Sequence, residues 1–392
     1  APYGFRKGLP MTMDRRSFLK GSALGLAAAA CWLEVPSLAR AEEGLTLVPL
    51  SRRPPNYESL RSTFTTRLTP LERFFLRNHF DIPKVDPKAW RLQIRGLVEK
   101  PLTLTAGELQ KLPQVKVEAV LQCAGNGRGL FRPRVPGVQW RVGAVGNAEW
   151  TGVRLRDVLA LARPKEGAAQ LRLQGAERPT MSTTPPFVRG IPLEKGLHAD
   201  TLVALKMNGR PISPYHGSPA RLVVPGWVGD DWMKWLTEVE VVAEEPKGFF
   251  YETAYRYPVK PGAPGEAIPA EQMKPMTKLN VKSIIGSLED GMVLRPGVHQ
   301  VVGVAFSGEA SIAGVELSFD GASTWQPATL EGPATPYGFR VFRHSWRAEP
   351  GRHVVASRAT DTAGALQPDV SVWNPSGYLY NAIDRVEVEV RA

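Results

Sequence analysis

The chain holds two cysteines in 392 residues, and Cys123 is the one placed to do chemistry. It sits in Leu121-Gln122-Cys123-Ala124-Gly125-Asn126-Gly127-Arg128, a thiol entering a Gly/Asn loop with a guanidinium five residues on. The other cysteine, Cys31, lies in a segment that reads as removable, which leaves one thiol. One thiol forms no internal disulfide and builds no Cys-only zinc or iron–sulfur site. Alone, such a cysteine reads as a small buried hydrophobe. A glycine-rich loop is a poor place to hide a core residue, and a nearby guanidinium favours thiolate. A thiolate ligand to a cofactor metal, or a nucleophile, is therefore the better reading.

The elements that must position this loop are short. Val115-Lys116-Val117-Glu118-Ala119-Val120 alternates and is β-branched, so a strand leads into it. Leu71-Glu72-Arg73-Phe74-Phe75-Leu76-Arg77-Asn78-His79-Phe80 predicts a strand delivering Arg77 and His79 to one side; in isolation both are ordinary solvated or satisfied residues. Residues 51–58 read as an extended arm, 90–96 as a strand, and 104–112 as a helix capped by Thr105. Further on come short pieces at 137–140 and 148–153, a helix at 156–161 and a strand at 170–175. A strand at 202–207 closes on Asn208-Gly209, a hairpin signal. Pro214-Tyr215-His216-Gly217-Ser218-Pro219-Ala220-Arg221 is a loop, and 222–226 leads to Asp231-Trp232-Met233-Lys234-Trp235-Leu236.

Strands and short helices alternate irregularly, so repeated βαβ units are not expected. Prolines 258, 261, 264, 269 and 275 make a stiff linker or draped crossing over 258–278. Beyond it, short alternating segments at turn-like spacing predict an all-β sandwich over 279–392, with Trp325 and Trp346 in its core. No GxGxxG, G-x-S-x-G, zinc spacing or C-x-x-C-H occurs.

The first 41 residues read as a leader. Asp14-Arg15-Arg16-Ser17-Phe18-Leu19-Lys20 is a twin-arginine pattern, followed by an apolar run from 23 to 33 and Ala39-Arg40-Ala41. The run is shorter than the ~20 residues of a spanning helix. Twin-arginine export carries folded, often cofactor-loaded proteins, so a periplasmic location without a membrane span is expected. The segment holds six Lys/Arg and two Asp/Glu, so its removal lowers the formal charge from +11 to +7. Basic runs interleaved with aromatics are missing, which argues against nucleic acid; a locally basic pocket for a small anion fits the surplus.

Several of these stretches together resemble the sulfite oxidase family of molybdopterin enzymes: Phe75-Leu76-Arg77-Asn78-His79, Leu121-Gln122-Cys123-Ala124-Gly125-Asn126, Lys206-Met207-Asn208-Gly209, His216-Gly217-Ser218-Pro219-Ala220-Arg221, Lys234-Trp235-Leu236, Ser318-Phe319-Asp320-Gly321 with Trp325, and Trp373-Asn374 with Asn381. They run in the family's order. The resemblance implies an α+β chain: a mixed α/β molybdopterin-binding domain over 42–257, the linker, then an immunoglobulin-like dimerisation domain.

It also implies roles. Cys123 looks like the thiolate on molybdenum. Phe75, Arg77, Asn78, His79, His216, Arg221, Trp232 and Lys234 match positions that hold the pterin, its phosphate or the nearby site. Glu177 matches an acidic pterin contact. Arg77, Arg128 and an active-site tyrosine would serve catalysis, and Tyr255 in Thr-Ala-Tyr-Arg resembles that tyrosine better than Tyr251. A soft thiolate and Arg/Lys donors suit a metal and a phosphate tail on chemical grounds as well.

One departure matters. The family's animal and plant members have arginine in a Trp-Asn-x-Arg-Gly motif, where this chain has Trp373-Asn374-Pro375-Ser376-Gly377. The implied activity is oxidation of sulfite to sulfate on molybdenum with molybdopterin, without haem in this chain. Electrons would pass to a separate acceptor such as a c-type cytochrome, and the protein would be a homodimer. The loss at Ser376 makes a sulfane dehydrogenase subunit of a thiosulfate-oxidising system, or an S- or N-oxide reductase, the alternatives. A cofactor-free exported binding protein is a reading of another class, and it predicts no molybdenum.

Overall fold

The computed structural model describes residues 46–392. The arginine pair, its apolar run, Cys31 and the small-residue site lie outside the described residues.

Alternation along the chain produces two mixed-length sheets in the first part. In one, Gln114–Gln122 pairs antiparallel with Val145–Arg154, and Leu202–Met207 pairs on the other side of that strand. The ten-residue strand Val145–Arg154 replaces the short pieces expected at 148–153. Leu202–Met207 also pairs with Arg210–Pro211 through the Asn208-Gly209 turn and with Arg221–Val223. Asn208 and Gly209 have φ of 49° and 75°, the left-handed pair that a tight hairpin requires.

The other sheet runs Leu102–Leu104, Leu92–Gly96, Leu236–Val242, Gln170–Gly175, Val188–Pro192. Leu236–Val242 is parallel to Leu92–Gly96 and antiparallel to Gln170–Gly175. A parallel pair needs a crossover, and here the whole first sheet is threaded between its two members. The helices are short. Ala106–Lys111 starts in a capping box: the Glu108 N–H donates to Thr105 Oγ1 at 3.1 Å, and the Thr105 N–H to Glu108 Oε2 at 2.7 Å. Leu155–Ala162 buries Leu155, Val158, Leu159 and Ala162 on one face.

Residues 51–58 are not a free arm. Leu47–Arg52 and Pro55–Ser59 form an antiparallel hairpin. The strand expected across Arg77 and His79 does not form either. After the single turn Leu71–Arg73, only Leu76 is tied, by paired backbone hydrogen bonds to Tyr57 at 2.8 and 2.9 Å.

In the second half, Lys282–Ile285, Gly297–Phe306, Arg340–Ala348 and Thr329–Glu331 make a four-stranded sheet. It faces a five-stranded sheet of Met292–Leu294, Asp384–Val390, Gly351–Asp361, Ile312–Ser318 and Gln326–Pro327. Val301, Leu317, Phe342, Trp346 and Val386 pack between them. Trp325 is a correction. It is only half-buried and lies flat over the Arg358 guanidinium at 4.2 Å, covering a cation rather than filling the core.

The proline-rich 258–278 segment is anchored along its length. Arg256–Pro258 pairs with Met273–Pro275. Thr277 O accepts from Val228 N–H and Gly226 O from Leu279 N–H, each at 2.9 Å. Gly226 (φ 81°) is required here, since a Cβ would stand 2.5 Å from Gly308 O. One apolar cluster runs across the seam between the two halves. Phe64 meets Phe339 edge-on at 6.3 Å, and Phe339 meets Phe306 at 5.5 Å. Truncating a buried phenylalanine removes both transfer energy and packing contacts. Phe339→Ala, 1 % exposed, is expected to cost about 3–5 kcal/mol. Chemical denaturation followed by tryptophan fluorescence checks this, with the two halves still unfolding in one transition.

Candidate active site

Strand Gln114–Gln122 ends one residue before Cys123, and the loop that follows is fastened on three sides. Cys123 N–H donates to Ala144 O at 3.0 Å, and its carbonyl accepts from Asn126 N–H at 2.9 Å. Asn126, fully buried, accepts from Ala144 N–H at 3.1 Å and donates to Gln122 Oε1 at 3.2 Å. Gly127 adopts φ 89°, and a Cβ there would strike the Tyr380 ring at 2.6–2.7 Å. The Gly/Asn composition is thus the condition for a tight loop against the second domain. Cys123 is 8 % exposed, and what exposure it has opens into a cavity.

That cavity is partly open to solvent and spans about 620 Å³ with its mouth included. It gathers residues from distant parts of the chain. Phe75, Arg77, Asn78 and His79 line it together with Cys123, Glu177, His216, Arg221, Trp232, Lys234 and Tyr255. Arg77 and His79 arrive by a turn of irregular chain. Asn56 Oδ1 accepts from Asn78 N–H at 3.0 Å, and Asn78 Nδ2 donates to Pro55 O at 2.6 Å.

Of the two tyrosines, Tyr255 lines the cavity and Tyr251 does not. Tyr255 holds φ 57°, a conformation costing a non-glycine residue about 1–3 kcal/mol. Its surroundings impose it. His79 Nε2 hydrogen-bonds its hydroxyl, Arg77 Nη2 lies 3.4 Å away, and the Tyr378 ring stacks on it at 5.4 Å. Arg189 sits over its other flank at 5.1 Å. Burial pushes the Tyr255 hydroxyl pKa up, so it stays a neutral donor.

Arg128 is not among the residues lining this cavity. Its Nε donates to the Ser376 carbonyl at 2.9 Å and its Nη1 to Val138 O at 3.3 Å, and the guanidinium lies over Tyr378 at 5.1 Å. Gly125 leaves room for it, since a Cβ there would stand 2.7 Å from Nη2. Arg128 therefore braces the loop of Cys123 against residues 376–378 of the second domain, and Leu379 N–H donates to Ala124 O at 2.9 Å beside it.

The electrostatics are unbalanced. Arg77, Arg221 and Lys234 stand in the wall with Glu177 and Asp230, and Asp230 is already paired to Arg189 behind it. Arg221 is 2 % exposed and has no carboxylate within contact distance. Its Nη atoms donate to His216 O at 3.1 Å and Trp232 O at 3.0 Å, and its Nε has no partner. Burial lowers its pKa to about 9. Burial lowers Lys234 to about 7 against the opposing pull of Glu177, and Lys234 Nζ donates to Asn78 Oδ1. Burial, with Arg221 and Lys234 alongside, lowers His216 to about 3, and Glu177 is pushed up by burial. Glu177 Oε2 likewise lacks a partner.

Buried cations without anions are unfavourable until a ligand supplies them. Free donors on Arg221 and Lys234 fit a phosphate, and a free carboxylate oxygen on Glu177 fits a ring N–H. No cluster of three or more His, Cys, Asp or Glu able to hold a metal ion occurs among the described residues. A metal here must arrive with ligands of its own and take only Cys123 from the chain. That donor set fits molybdopterin.

Several wall residues carried no sequence signal. Phe187 stacks on His79 at 3.9 Å, Tyr215 lines the cavity, and Asp230 and Arg189 form a buried ion cluster under Tyr255. The Gly-Asp-Asp run before Trp232 was the one visible hint of the last.

A domain described as an oxidoreductase molybdopterin binding domain matches residues 79–250, and one described as a Mo-co oxidoreductase dimerisation domain matches residues 273–391. Mitochondrial sulfite oxidase of Rattus norvegicus is 34 % identical over 357 residues, covering 87 % of this chain and 65 % of that protein. The chain thus spans just under two thirds of the rat protein's length. Sulfite oxidase of Arabidopsis thaliana is 33 % identical over 363 residues, covering 86 % of this chain and 92 % of the relative. The crystal structure of the sulfane dehydrogenase SoxCD from Paracoccus pantotrophus shares the fold, with a TM-score of 0.76 at 24 % identity over 100 % of this chain and 96 % of that one.

The depressed His216 has a consequence for the cofactor-free protein. The unfolded chain takes up a proton near the ordinary value of 6.5, and the folded chain does not until about 3. Between these values the unfolded state binds more protons, so stability falls as pH falls from about 6.5 toward 3. Denaturation midpoints at stepped pH are expected to show a shallower acid loss in His216→Gln than in wild type.

Proposed function

The chain belongs to the sulfite oxidase family of molybdopterin oxidoreductases, and from that premise we propose that it is an exported enzyme oxidising sulfite to sulfate. The observation that carries this reading is the single buried thiol of Cys123 sharing one cavity with Arg77, Arg221 and Lys234. Arg221, Lys234 and His216 would hold the phosphate end of molybdopterin, Glu177 and Asn78 would contact its ring, and Phe75 and Trp232 would pack beside it. Cys123 would give its thiolate to molybdenum. When bound, this cofactor supplies the two-electron oxidation of sulfur.

The chain's residues do the rest. Arg77 and the neutral Tyr255 hydroxyl orient the anionic substrate and offset its charge, and His79 fixes the hydroxyl. The seal made by Arg128, Tyr378 and Leu379 keeps bulk water from the back of the thiol. Sulfite and water yield sulfate, two protons and two electrons, which leave singly to a separate carrier such as a c-type cytochrome. The proposal extends to a periplasmic homodimer formed through the sandwich domain; among the described residues no helix is long and apolar enough to cross a membrane.

A second reading keeps the cofactor and changes the substrate to a sulfane sulfur or an S- or N-oxide. It is favoured by one replaced position. Ser376 stands where the family's animal and plant members have arginine, and its carbonyl holds Arg128 outside the cavity lining.

The test is metal analysis with sulfite-dependent reduction of ferricyanide or cytochrome c, on wild type and Cys123→Ser. Wild type should carry about one molybdenum per chain and turn over. The variant should lose activity by about a hundredfold or more, since even outer partners of a metal ligand commonly account for 10–100-fold. A loaded wild type that reduces neither acceptor with sulfite gives way to the second reading, and absence of molybdenum defeats both.

A further inference from the structure

Arg189 holds two carboxylates where one would satisfy it. The guanidinium is fully buried, lying beneath the rings of Tyr255 and Tyr251 at 5.1 and 5.4 Å. Its Nε and Nη2 donate to Asp231 Oδ1 at 3.1 and 2.8 Å, and Nη1 donates to the Phe250 carbonyl. These bonds join strand Val188–Pro192, the turn Gly229–Asp231 and the helix Phe249–Glu252, with both Arg189 donors on Asp231 Oδ1 and Asp231 Oδ2 left without a partner.

Asp230 is different. Its Oδ2 lies 2.7 Å from Arg189 Nη2, off the donor direction, and neither of its oxygens makes a hydrogen bond to another residue. The side chain is 2 % exposed, and it lines the cavity. A buried carboxylate with free acceptor sites is unfavourable by much more than a hydrogen-bonded one, and the cavity's occupant is where a donor can come from.

We propose that Asp230 is a ligand-contacting residue of the cavity, accepting a hydrogen bond from an N–H or O–H of its occupant, with Arg189 and Asp231 as the frame that aims it. The proposal rests on the molybdopterin reading above. The donor belongs either to the cofactor's ring or to water and substrate beside the metal, and the two sources have different readouts. A structural partner of Arg189 would behave as Asp231 does.

The experiment compares wild type, Asp230→Asn and Asp231→Asn as purified holoprotein, measuring released pterin fluorescence, molybdenum per chain, Tm, and kcat and KM for sulfite. Asp231→Asn is expected to lower Tm. Asp230→Asn is expected to hold Tm and to change ligand binding. A donor on the cofactor shows as about tenfold or greater loss of retained pterin. A donor in the reacting pocket shows as full loading with kcat/KM lowered about 10- to 100-fold, the worth of a hydrogen bond to a charged group. Full pterin and molybdenum with unchanged kcat and KM overturns the proposal, as does a fall in Tm alone. A wild type without pterin overturns both this and the cofactor reading. A loaded wild type inactive on sulfite ends only the substrate reading, and pterin retention still decides Asp230.

Discussion

Uncompensated positive charge in a closed space is the constraint on which the rest of the site turns. Arg77, Arg221 and Lys234 stand in the wall of one cavity, and Arg221 reaches two backbone carbonyls and the rings of Trp150 and Trp232 at 5.0 and 5.9 Å. Such groups remain ionised in a protein interior only when the geometry is fixed and an anion completes it. The geometry is fixed by backbone. Gly217, at φ 105°, packs against Lys234 Cβ and Trp235 N, and Trp235 Nε1 donates to Pro214 O at 2.9 Å. The loop carrying His216 and the segment carrying Lys234 are therefore one rigid piece. His216 stays neutral because it is buried, with Arg221 and Lys234 beside it.

The thiol depends on the second domain as much as on its own strand. Residues 376–380 supply a carbonyl for Arg128, a ring stacked on Tyr255, an N–H for Ala124 O and a ring against Gly127. The sandwich thus backs the cysteine loop and Tyr255 from behind the cavity lining. Ser376 acts here through its main chain. Its carbonyl holds Arg128 in a bracing role, so one position couples the shape of the cysteine loop to the number of cations facing the cavity.

Tyr255 shows how the strain is distributed. Its left-handed backbone is opposed by no glycine-like freedom, and four neighbours hold it: His79, Arg77, Tyr378 and Arg189. All four lie more than sixty residues away in the chain. Strain concentrated at one cavity residue and met by distant packing is what pre-organisation looks like in a folded chain.

Local chemistry made much of this legible in the sequence. Alternating β-branched runs placed the strand before Cys123, Asn208-Gly209 placed its hairpin and Thr105 placed a helix start, whereas the grouping of Phe75 through Lys234 in one site came from the family resemblance. These signals work because period, capping and turn geometry act over a few residues. Arg77 and His79 were expected on a strand and reach the cavity on irregular chain, because Asn56 and Asn78 hold them from another segment. Trp325 was expected in the core and instead covers Arg358. Arg128 faces Ser376 and not the cavity, Tyr255 is distinguished from Tyr251, and Asp230 joins the wall through Arg189. Each of these was decided by tertiary structure, since each depends on which distant side chain occupies the neighbouring volume, and no spacing along the chain encodes that.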